Sequence, residues 1–238
     1  MKPAELLYEG KAKKVYATQD DSLLIVSYKD EATAFNGLKK DTIAGKGELN
    51  NRIANLLMQV LHKHKIPTHF VEELSPTDTL VKKLKMIPLE VIVRNFAAGS
   101  LSKKLGIPEG KEFKSPILEF CYKEDSLGDP MINSYHIQAL ELATQEELKL
   151  ISSYAMQINE ILRIYFADLG ICLVDFKLEF GKDTKGDILL GDEISPDTCR
   201  FWDLKTKQKL DKDRFREDLG GVYESYCIVL EKILSKGQ

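Results

Sequence analysis

The stretch ICLVDFKLEFG, at residues 171–181, combines strand-forming apolar residues with a charge at every second position. Successive side chains of a strand point to opposite faces, so Asp175, Lys177 and Glu179 share one face. The other face is expected to carry the apolar side chains of Val174, Phe176, Leu178 and Phe180. This pattern alone fits either the solvated, ion-paired face of an edge hairpin or the floor of a functional cleft.

A hairpin partner follows directly. The turn KDTKG at residues 182–186 has the composition of a hairpin loop, and the segment DILLGDE at residues 187–193 is the expected second strand. Glu179 and Asp192 can then face each other, and neighbouring carboxylates repel unless a cation or a proton lies between them. Mg²⁺ is the usual cation where phosphates are present. Lys177 can offer its charge to a phosphoryl or carboxylate oxygen.

The segment GDEISPDTCRFWD, at residues 191–203, concentrates acidic residues around one proline. Ser195-Pro196-Asp197 reads as a turn. A turn that presents Asp197 and Arg200 together suits a ligand with both amine and acid groups.

Two further segments are candidate anion sites. EGKAKKVY, at residues 9–16, is a basic strand-turn-strand in which Lys11 and Lys13 follow a glycine, and it matches neither the P-loop nor the dinucleotide-binding glycine pattern. VIVRNFAAGSL, at residues 91–101, places Arg94 after a buried run, and Ser100 can start a helix. An ordinary hairpin turn and a capped helix with an ion-paired arginine remain the alternatives.

The remaining pattern predicts an α+β chain. Hairpin-linked strands fill the first ~95 residues around one amphipathic helix that begins near Gly47 and ends before Pro67. Residues 108–135 read as irregular. A long helix starts at Thr144, where Glu147 completes a capping box, and ends at Gly170; a final helix breaks at two glycines. A boundary near residues 86–88 predicts two lobes, 1–86 and 87–238.

Composition excludes several functional classes. The 238 residues include 30% charged residues, with a formal net charge of −3, so no basic field favours nucleic acid. Apolar runs are far shorter than the roughly 20 residues of a membrane span, and no signal-peptide pattern begins the chain. Four cysteines without metal-ligand spacing predict free thiols in a reducing cytoplasm. The histidines form no pattern typical of a metal site or a triad, which favours carboxylate, lysine and metal chemistry.

Several of these motifs together resemble the SAICAR synthetase family. The resemblance rests on LYEGKAKKVY, GKGELNNRIANLL, VIVRNFAAGSL, GDPMI, LVDFKLEFG, GDEISPDTCRFWD and DKDRFREDLGG, which occur in family order along essentially the whole chain. It implies a two-lobed fold whose N-terminal antiparallel sheet is similar to those of kinases and ATP-grasp enzymes. It also implies that ATP phosphorylates the carboxylate of carboxyaminoimidazole ribotide, and that the amine of L-aspartate then displaces phosphate to form an amide.

The resemblance also implies residue roles. The residues expected to bind ATP are Lys11, Ala12, Lys13, Val15, Leu24, Lys82, Met86, Lys123, Glu179 and Asp192. Those expected around the ribotide and the acyl phosphate are Arg94, Ser100, Asp175, Lys177, Asp197 and Arg200. Glu179 and Asp192 are expected to bind Mg²⁺, and together with Asp175 and Lys177 they form the expected catalytic set.

Two other functions stay open at this point. A small-molecule kinase on the same lobes would form ADP with a hydroxyl acceptor, and a non-catalytic nucleotide-binding module would not depend on Glu179 or Asp192. The expected partners are small molecules, with no nucleic acid or membrane, in a cytoplasmic homodimer. The loop DEATAFNG has Asn36 where some family members carry Asp, and its role is open.

Overall fold

The computed structural model of the chain describes residues 1–35 and 37–236. Asn36 lies outside these described residues. The elements of the described residues, in chain order, are β1 (Leu6–Glu9), β2 (Lys13–Ala17), β3 (Leu23–Tyr28), β4 (Glu31–Ala34), β5 (Lys39–Thr42), α1 (Lys46–Lys63), β6 (Phe70–Glu73), β7 (Asp78–Lys82), β8 (Lys85–Phe96), α2 (Gly99–Leu105), β9 (Glu112–Tyr122), a 3₁₀ turn (Asp125–Leu127), β10 (Met131–Ile132), α3 (Ser134–Ala139), α4 (Gln145–Asp168), β11 (Ile171–Lys182), β12 (Ile188–Gly191), β13 (Cys199–Asp203), α5 (Asp213–Arg216) and α6 (Val222–Ser235).

Two antiparallel sheets organise these elements and confirm the α+β class. The first has the strand order β1-β2-β3-β7-β6, and the second has the order β10-β9-β8-β11-β12, with β13 also paired to β11. The first sheet ends at Lys82 and the second begins at Lys85. The hairpin of β4 and β5 is separate from both sheets and packs Ala32 and Ala34 against Phe215.

The long helix α4 covers the second sheet and builds the main core. It begins as the sequence predicts, because the hydroxyl of Thr144 accepts from the backbone N–H of Glu147 while the Glu147 carboxylate accepts from the N–H of Thr144. Its apolar face packs on β11, where the ring of Tyr154 stacks on Phe180 at 6.5 Å between centroids. The helix therefore covers one face of β11, and the charged row of Asp175, Lys177 and Glu179 lies on the opposite face.

A bulge in β11 corrects one sequence prediction. Pairing with β13 shifts register between Leu173 and Asp175, so the alternation of faces is interrupted at Val174. Phe176 joins the main core as predicted, but Val174 packs with Trp202 in a separate small cluster. An inserted residue of this kind depends on the partner strand, and the apolar alternation of the segment does not reveal it.

Strand β9 corrects a second prediction, because residues 108–135 are not irregular. Pro116 and the charges of Glu112 and Lys114 obscured its strand pattern. Pro116 is compatible with this strand because β10 covers β9 only at Phe120 and Cys121, which leaves a free edge on that side elsewhere.

Strand β8 crosses the position at which the sequence predicts a boundary between two lobes. It runs without a break from Lys85, and Pro88 lies where its pairing with β11 shifts register between Met86 and Glu90. The expected lobe boundary at residues 86–87 therefore falls within a continuous strand. The shorter features that were not predicted include strand β10, helix α3, strand β13 and the hairpin of β4 and β5.

Candidate active site

A cavity of about 550 Å³, here called the central cavity, lies between the first sheet and the hairpin of β11 and β12. All ten residues expected to bind ATP line it, namely Lys11, Ala12, Lys13, Val15, Leu24, Lys82, Met86, Lys123, Glu179 and Asp192. Lys177 lines it as well. The structure therefore brings together residues that are up to 181 positions apart in the chain.

The apolar side of the central cavity is formed by side chains of paired strands in the first sheet. Val15 on β2 pairs with Val26 on β3, and Leu24 on β3 pairs with Val81 on β7. Cross-strand neighbours in register present their side chains on one face, so these branched residues form a continuous wall. All four line the cavity, and Met86 lines it from the second sheet.

The basic turn at the mouth of the cavity is fixed by its own backbone. The N–H of Gly10 donates to the carbonyl of Lys13 at 2.8 Å, which closes the turn over Lys11 and Ala12. Lys11 reaches outward to Asp125 at 2.8 Å. Lys13 reaches inward and is bonded to Asp192, with Glu193 at 3.0 Å.

Asp192 occupies an unusual position at the end of β12. Its backbone has φ of 60°, a left-handed conformation that Asp tolerates better than most residues. Burial disfavours its charge, but Lys13 outweighs burial and lowers the pKa of Asp192 to about 2. Burial likewise opposes the charge of Lys13, while Asp192 and Glu193 raise the pKa of that lysine well above its usual value. The pair is therefore fully charged at neutral pH.

Glu179 and Lys177 lie beside this pair on β11. Burial, and then the nearby charge of Asp192, raise the pKa of Glu179 despite its bond to Lys123. Lys177 donates to Glu90 at 2.5 Å, and this carboxylate overcomes burial to raise the pKa of Lys177. Three carboxylates, of Glu90, Glu179 and Asp192, and the ammonium groups of Lys13, Lys123 and Lys177 thus line one end of the cavity.

The other end of the charged row forms a buried ion-pair network. Asp175 accepts from Arg94 at 2.9 Å and from Arg200 at 2.9 Å. Arg94 is bonded also to Glu119 at 2.6 Å, and Arg200 to Asp213 at 2.6 Å. Buried charges persist only when they are paired in this way. None of these five residues lines the central cavity, so the structure places them behind Lys177.

Two expected substrate residues are not bonded into this network. Ser100 is an exposed residue in the first turn of α2, and the helix cap is Ala98 rather than Ser100. The side chain of Asp197 is buried, and its two oxygens accept from Lys46 at 2.8 Å and from Tyr226 at 2.6 Å. Both oxygens of Asp197 therefore have protein partners that connect helices α1 and α6.

Sequence analysis missed Glu90, the partner of Lys177. A signal for it was present, because Glu90 and Arg94 are four positions apart on one strand and so share a face. The alternation argument that found the row on β11 would have found this pair too. The other charged or hydrogen-bonding cavity residues that the sequence analysis missed are Tyr8, Glu9, Tyr28, Asn55, His69, Thr79, Asp125 and Asp129. Burial lowers the pKa of His69 to about 4, so this ring is neutral at pH 7.

Comparisons with known proteins agree along the whole chain. Residues 6–233 match the family model of SAICAR synthetase. The chain is 60% identical over 233 residues to phosphoribosylaminoimidazole-succinocarboxamide synthase of Thermoanaerobacter sp. (strain X514), covering 98% of this chain and 99% of that protein.

Solved structures agree with this match. The crystal structure of the synthase from Ehrlichia chaffeensis superposes with a TM-score of 0.95 at 50% identity, covering 96% of this chain and 98% of that one. A SAICAR synthetase (Type-2) in complex with ADP superposes with a TM-score of 0.94 at 53% identity, covering 96% and 97%.

The fold and its full-length matches define an enzyme of the ATP-dependent ligase class. The chain belongs to the SAICAR synthetase family, whose ligase step is part of purine biosynthesis. No helix among residues 1–35 and 37–236 is long and apolar enough to cross a membrane.

Proposed function

We propose that the central cavity binds ATP and that the chain joins L-aspartate to carboxyaminoimidazole ribotide through an acyl phosphate. The observation that carries this proposal is the meeting of the turn Lys11–Lys13 with the carboxylates of Glu179 and Asp192 in one cavity. A nucleotide needs an apolar wall for its base and positive charge for its phosphates, and the cavity supplies both. The ADP-bound relative with the same fold supports this assignment.

Adenine would lie against the wall that contains Val15 and Leu24, with the backbone near Met86 at its edge. The phosphates would extend toward the turn of Lys11, Ala12 and Lys13. Lys82 and Lys123 add positive charge to the lining of the cavity. Phosphoryl transfer requires mainly positioning and charge neutralisation, and this cavity supplies groups for both tasks.

Glu179 and Asp192 fit a magnesium ion by their chemistry. They are two neighbouring carboxylates, and the charge of Asp192 contributes to the raised pKa of Glu179, which shows that the pair repels. Mg²⁺ typically takes one or two carboxylates and completes its shell with water and phosphate oxygens. When bound, the ion would neutralise charge on the ATP phosphates. Within the described residues no cluster of three or more His, Cys, Asp or Glu could hold a metal, so phosphate and water would supply the other ligands.

Lys177 connects the nucleotide end of the site to the substrate end. Its ammonium group, held by Glu90, would lie near the ribotide carboxylate as the phosphoryl group arrives. In this step the bond from phosphorus to ADP breaks and a bond to a carboxylate oxygen forms. The aspartate amine then attacks the acyl carbon, phosphate leaves, and the amine loses a proton.

The ribotide itself would be held by Arg94, Asp175, Arg200 and Ser100. Asp175 fixes both guanidinium groups, and it leaves the Nη2 atom of each without a hydrogen-bond partner among the described residues. These two nitrogen atoms can donate hydrogen bonds to the oxygens of a phosphate or a carboxylate. The expected direct role of Asp197 stays a prediction.

Conversion of Glu179 to Gln and of Asp192 to Asn tests the site. We expect each change to lower kcat/KM by at least ~10²-fold, because a lost metal ligand removes several kcal/mol of transition-state stabilisation. Asp187→Asn is the control, since Asp187 is exposed in the turn of the same hairpin and lies outside the cavity. Calorimetry of ADP binding gives a second readout, in which the dependence on MgCl₂ should weaken in both site variants. Losses below tenfold in both would contradict the assignment.

The two lobes, the cytoplasmic location and the homodimer also belong to this proposal. The lobe division at residues 86–87 is supported by the change of sheet between Lys82 and Lys85. Light scattering on the purified protein tests the dimer, and a mass near 27.0 kDa would exclude it.

A further inference from the structure

Gly99, the first residue of α2, lies against the guanidinium group of Arg200. A Cβ atom at position 99 would be 2.3 Å from Nη2 and 2.7 Å from Cζ of Arg200. Non-bonded carbon and nitrogen atoms do not approach so closely, so one of the two groups would have to move. Gly99 is preceded by Ala97 and Ala98, both fully buried, which restricts movement of the backbone.

The guanidinium group is equally restricted. Its Nε donates to Asp213 at 2.6 Å, and its Nη1 donates to both oxygens of Asp175 at 2.9 and 3.1 Å. Asp213 is held in turn by Arg216 at 2.5 Å. Displacement of Arg200 away from position 99 therefore breaks at least one of these charge-assisted hydrogen bonds.

We propose that Gly99 is a positioning residue for Arg200, because only a glycine lets Nη2 lie against this backbone while Nη1 and Nε stay on their carboxylates. The inference rests on the proposed function, in which the free Nη2 of Arg200 binds an anionic group of the ribotide. Any side chain at position 99 moves Arg200 and weakens ribotide binding. The central cavity is formed by other residues, so ATP binding is left unchanged.

Gly99→Ala tests this role, and Gly106→Ala is its matched control. The two glycines lie at opposite ends of α2 and have similar left-handed backbones, with φ of 57° and 62°. Alanine therefore carries a similar backbone strain at both positions, but no atom lies within 4 Å of a Cβ at position 106. Steady-state kinetics should show that Gly99→Ala raises the KM for the ribotide about tenfold or more, as expected for one lost charge-assisted hydrogen bond, with the KM for ATP unchanged. Gly106→Ala should change neither constant by more than about twofold.

A double-mutant cycle with Arg200→Lys shows whether Gly99 acts through Arg200. Arg200→Lys should raise the KM for the ribotide, and adding Gly99→Ala to it should produce little further increase. Full additivity of the two changes would overturn the positioning role. An unchanged KM in Gly99→Ala, together with a raised KM in Arg200→Lys, would overturn it while leaving the proposed function intact.

An unchanged KM in Arg200→Lys would instead remove the substrate role of Arg200 and the inference with it. Thermal stabilisation by ADP, measured on every variant, checks that the central cavity is folded. If Gly99→Ala failed this check while Gly106→Ala passed it, position 99 would have a structural role and the inference would be overturned.

Discussion

Replacing Lys13 with Met should destabilise the unliganded protein through the carboxylates that the lysine neutralises. Lys13 and Asp192 are largely buried, with side chains 18% and 23% exposed. The pKa of Asp192 falls from an ordinary 3.8 to about 2, chiefly because Lys13 outweighs the effect of burial. One pKa unit corresponds to about 1.4 kcal/mol, so the effect of Lys13 exceeds that of burial by about 2–2.5 kcal/mol at pH 7.

A double-mutant cycle measures this coupling directly. The wild type, Lys13→Met, Asp192→Asn and the double variant are unfolded with urea at pH 7.5 without nucleotide, and the fluorescence of Trp202, the only tryptophan, is followed. We expect a coupling free energy of about 2 kcal/mol between the two positions. A coupling below about 0.5 kcal/mol would refute this account of the pair, because that is the range of exposed ion pairs.

Lys14→Met is the matched control for this experiment. Lys14 follows Lys13 on the same strand, is 37% exposed, and forms its ion pair with the half-exposed Glu9 at 3.8 Å. The loss of this ion pair should cost less than about 0.5 kcal/mol.

The pH dependence of the free energy of unfolding provides a further check on the Lys13–Asp192 pair. A lowered carboxylate pKa contributes stability above about pH 4 that is lost as the pH falls toward 2, and Lys13→Met should reduce this acid-induced loss.

Three further predictions concern polar groups outside the central cavity. Burial, and then Asp213, raise the pKa of Asp211 to about 7, so stability should fall as pH rises from about 4 to 7; an NMR titration of its carboxyl carbon with a midpoint near 4 would contradict this. Thr144→Ala should lower the free energy of unfolding by about 1 kcal/mol through loss of the α4 cap, whereas Thr144→Ser should not. Asn95→Ala should cost about 1–3 kcal/mol in urea unfolding, because it leaves the buried amide of Asn159 without its partner, and the double alanine variant should cost less than the sum.

The parts of the fold that local patterns determine were predictable. The start of α4 needs only Thr144 and Glu147, which are three residues apart, and its end needs only Gly170. The hairpin of β11 and β12 is joined by a short turn, so Glu179 and Asp192 could be placed together from sequence. These features depend on contacts within about 25 residues, where periodicity and turn chemistry are informative.

The parts that depend on distant strands were not predictable in the same way. The bulge at Val174 exists because β13 pairs with β11 out of simple register, and nothing within residues 171–181 encodes that shift. The partners of Asp175 come from β8 and β13, and those strands were needed to show that this carboxylate is saturated by two arginines. Alternation identified the charged face, but it could not say which charges on it are already neutralised.

The difference between neutralised and exchangeable charges separates the two ends of the row on β11. Asp175 is held by Arg94, which is 5% exposed, and by Arg200, which has carboxylates on both sides. Removing Arg94 would leave the buried Glu119 without its cation, at a cost of several kcal/mol, and removing Arg200 would leave Asp175 and Asp213 with one cation each, so Asp175 keeps its partners. Within residues 1–35 and 37–236, Glu179 is bonded only to Lys123, whose side chain is 45% exposed and can return to water at little cost. We therefore expect Glu179 to be the carboxylate of this row that exchanges its partner when a cation binds, and Asp175 to keep the two arginines in place.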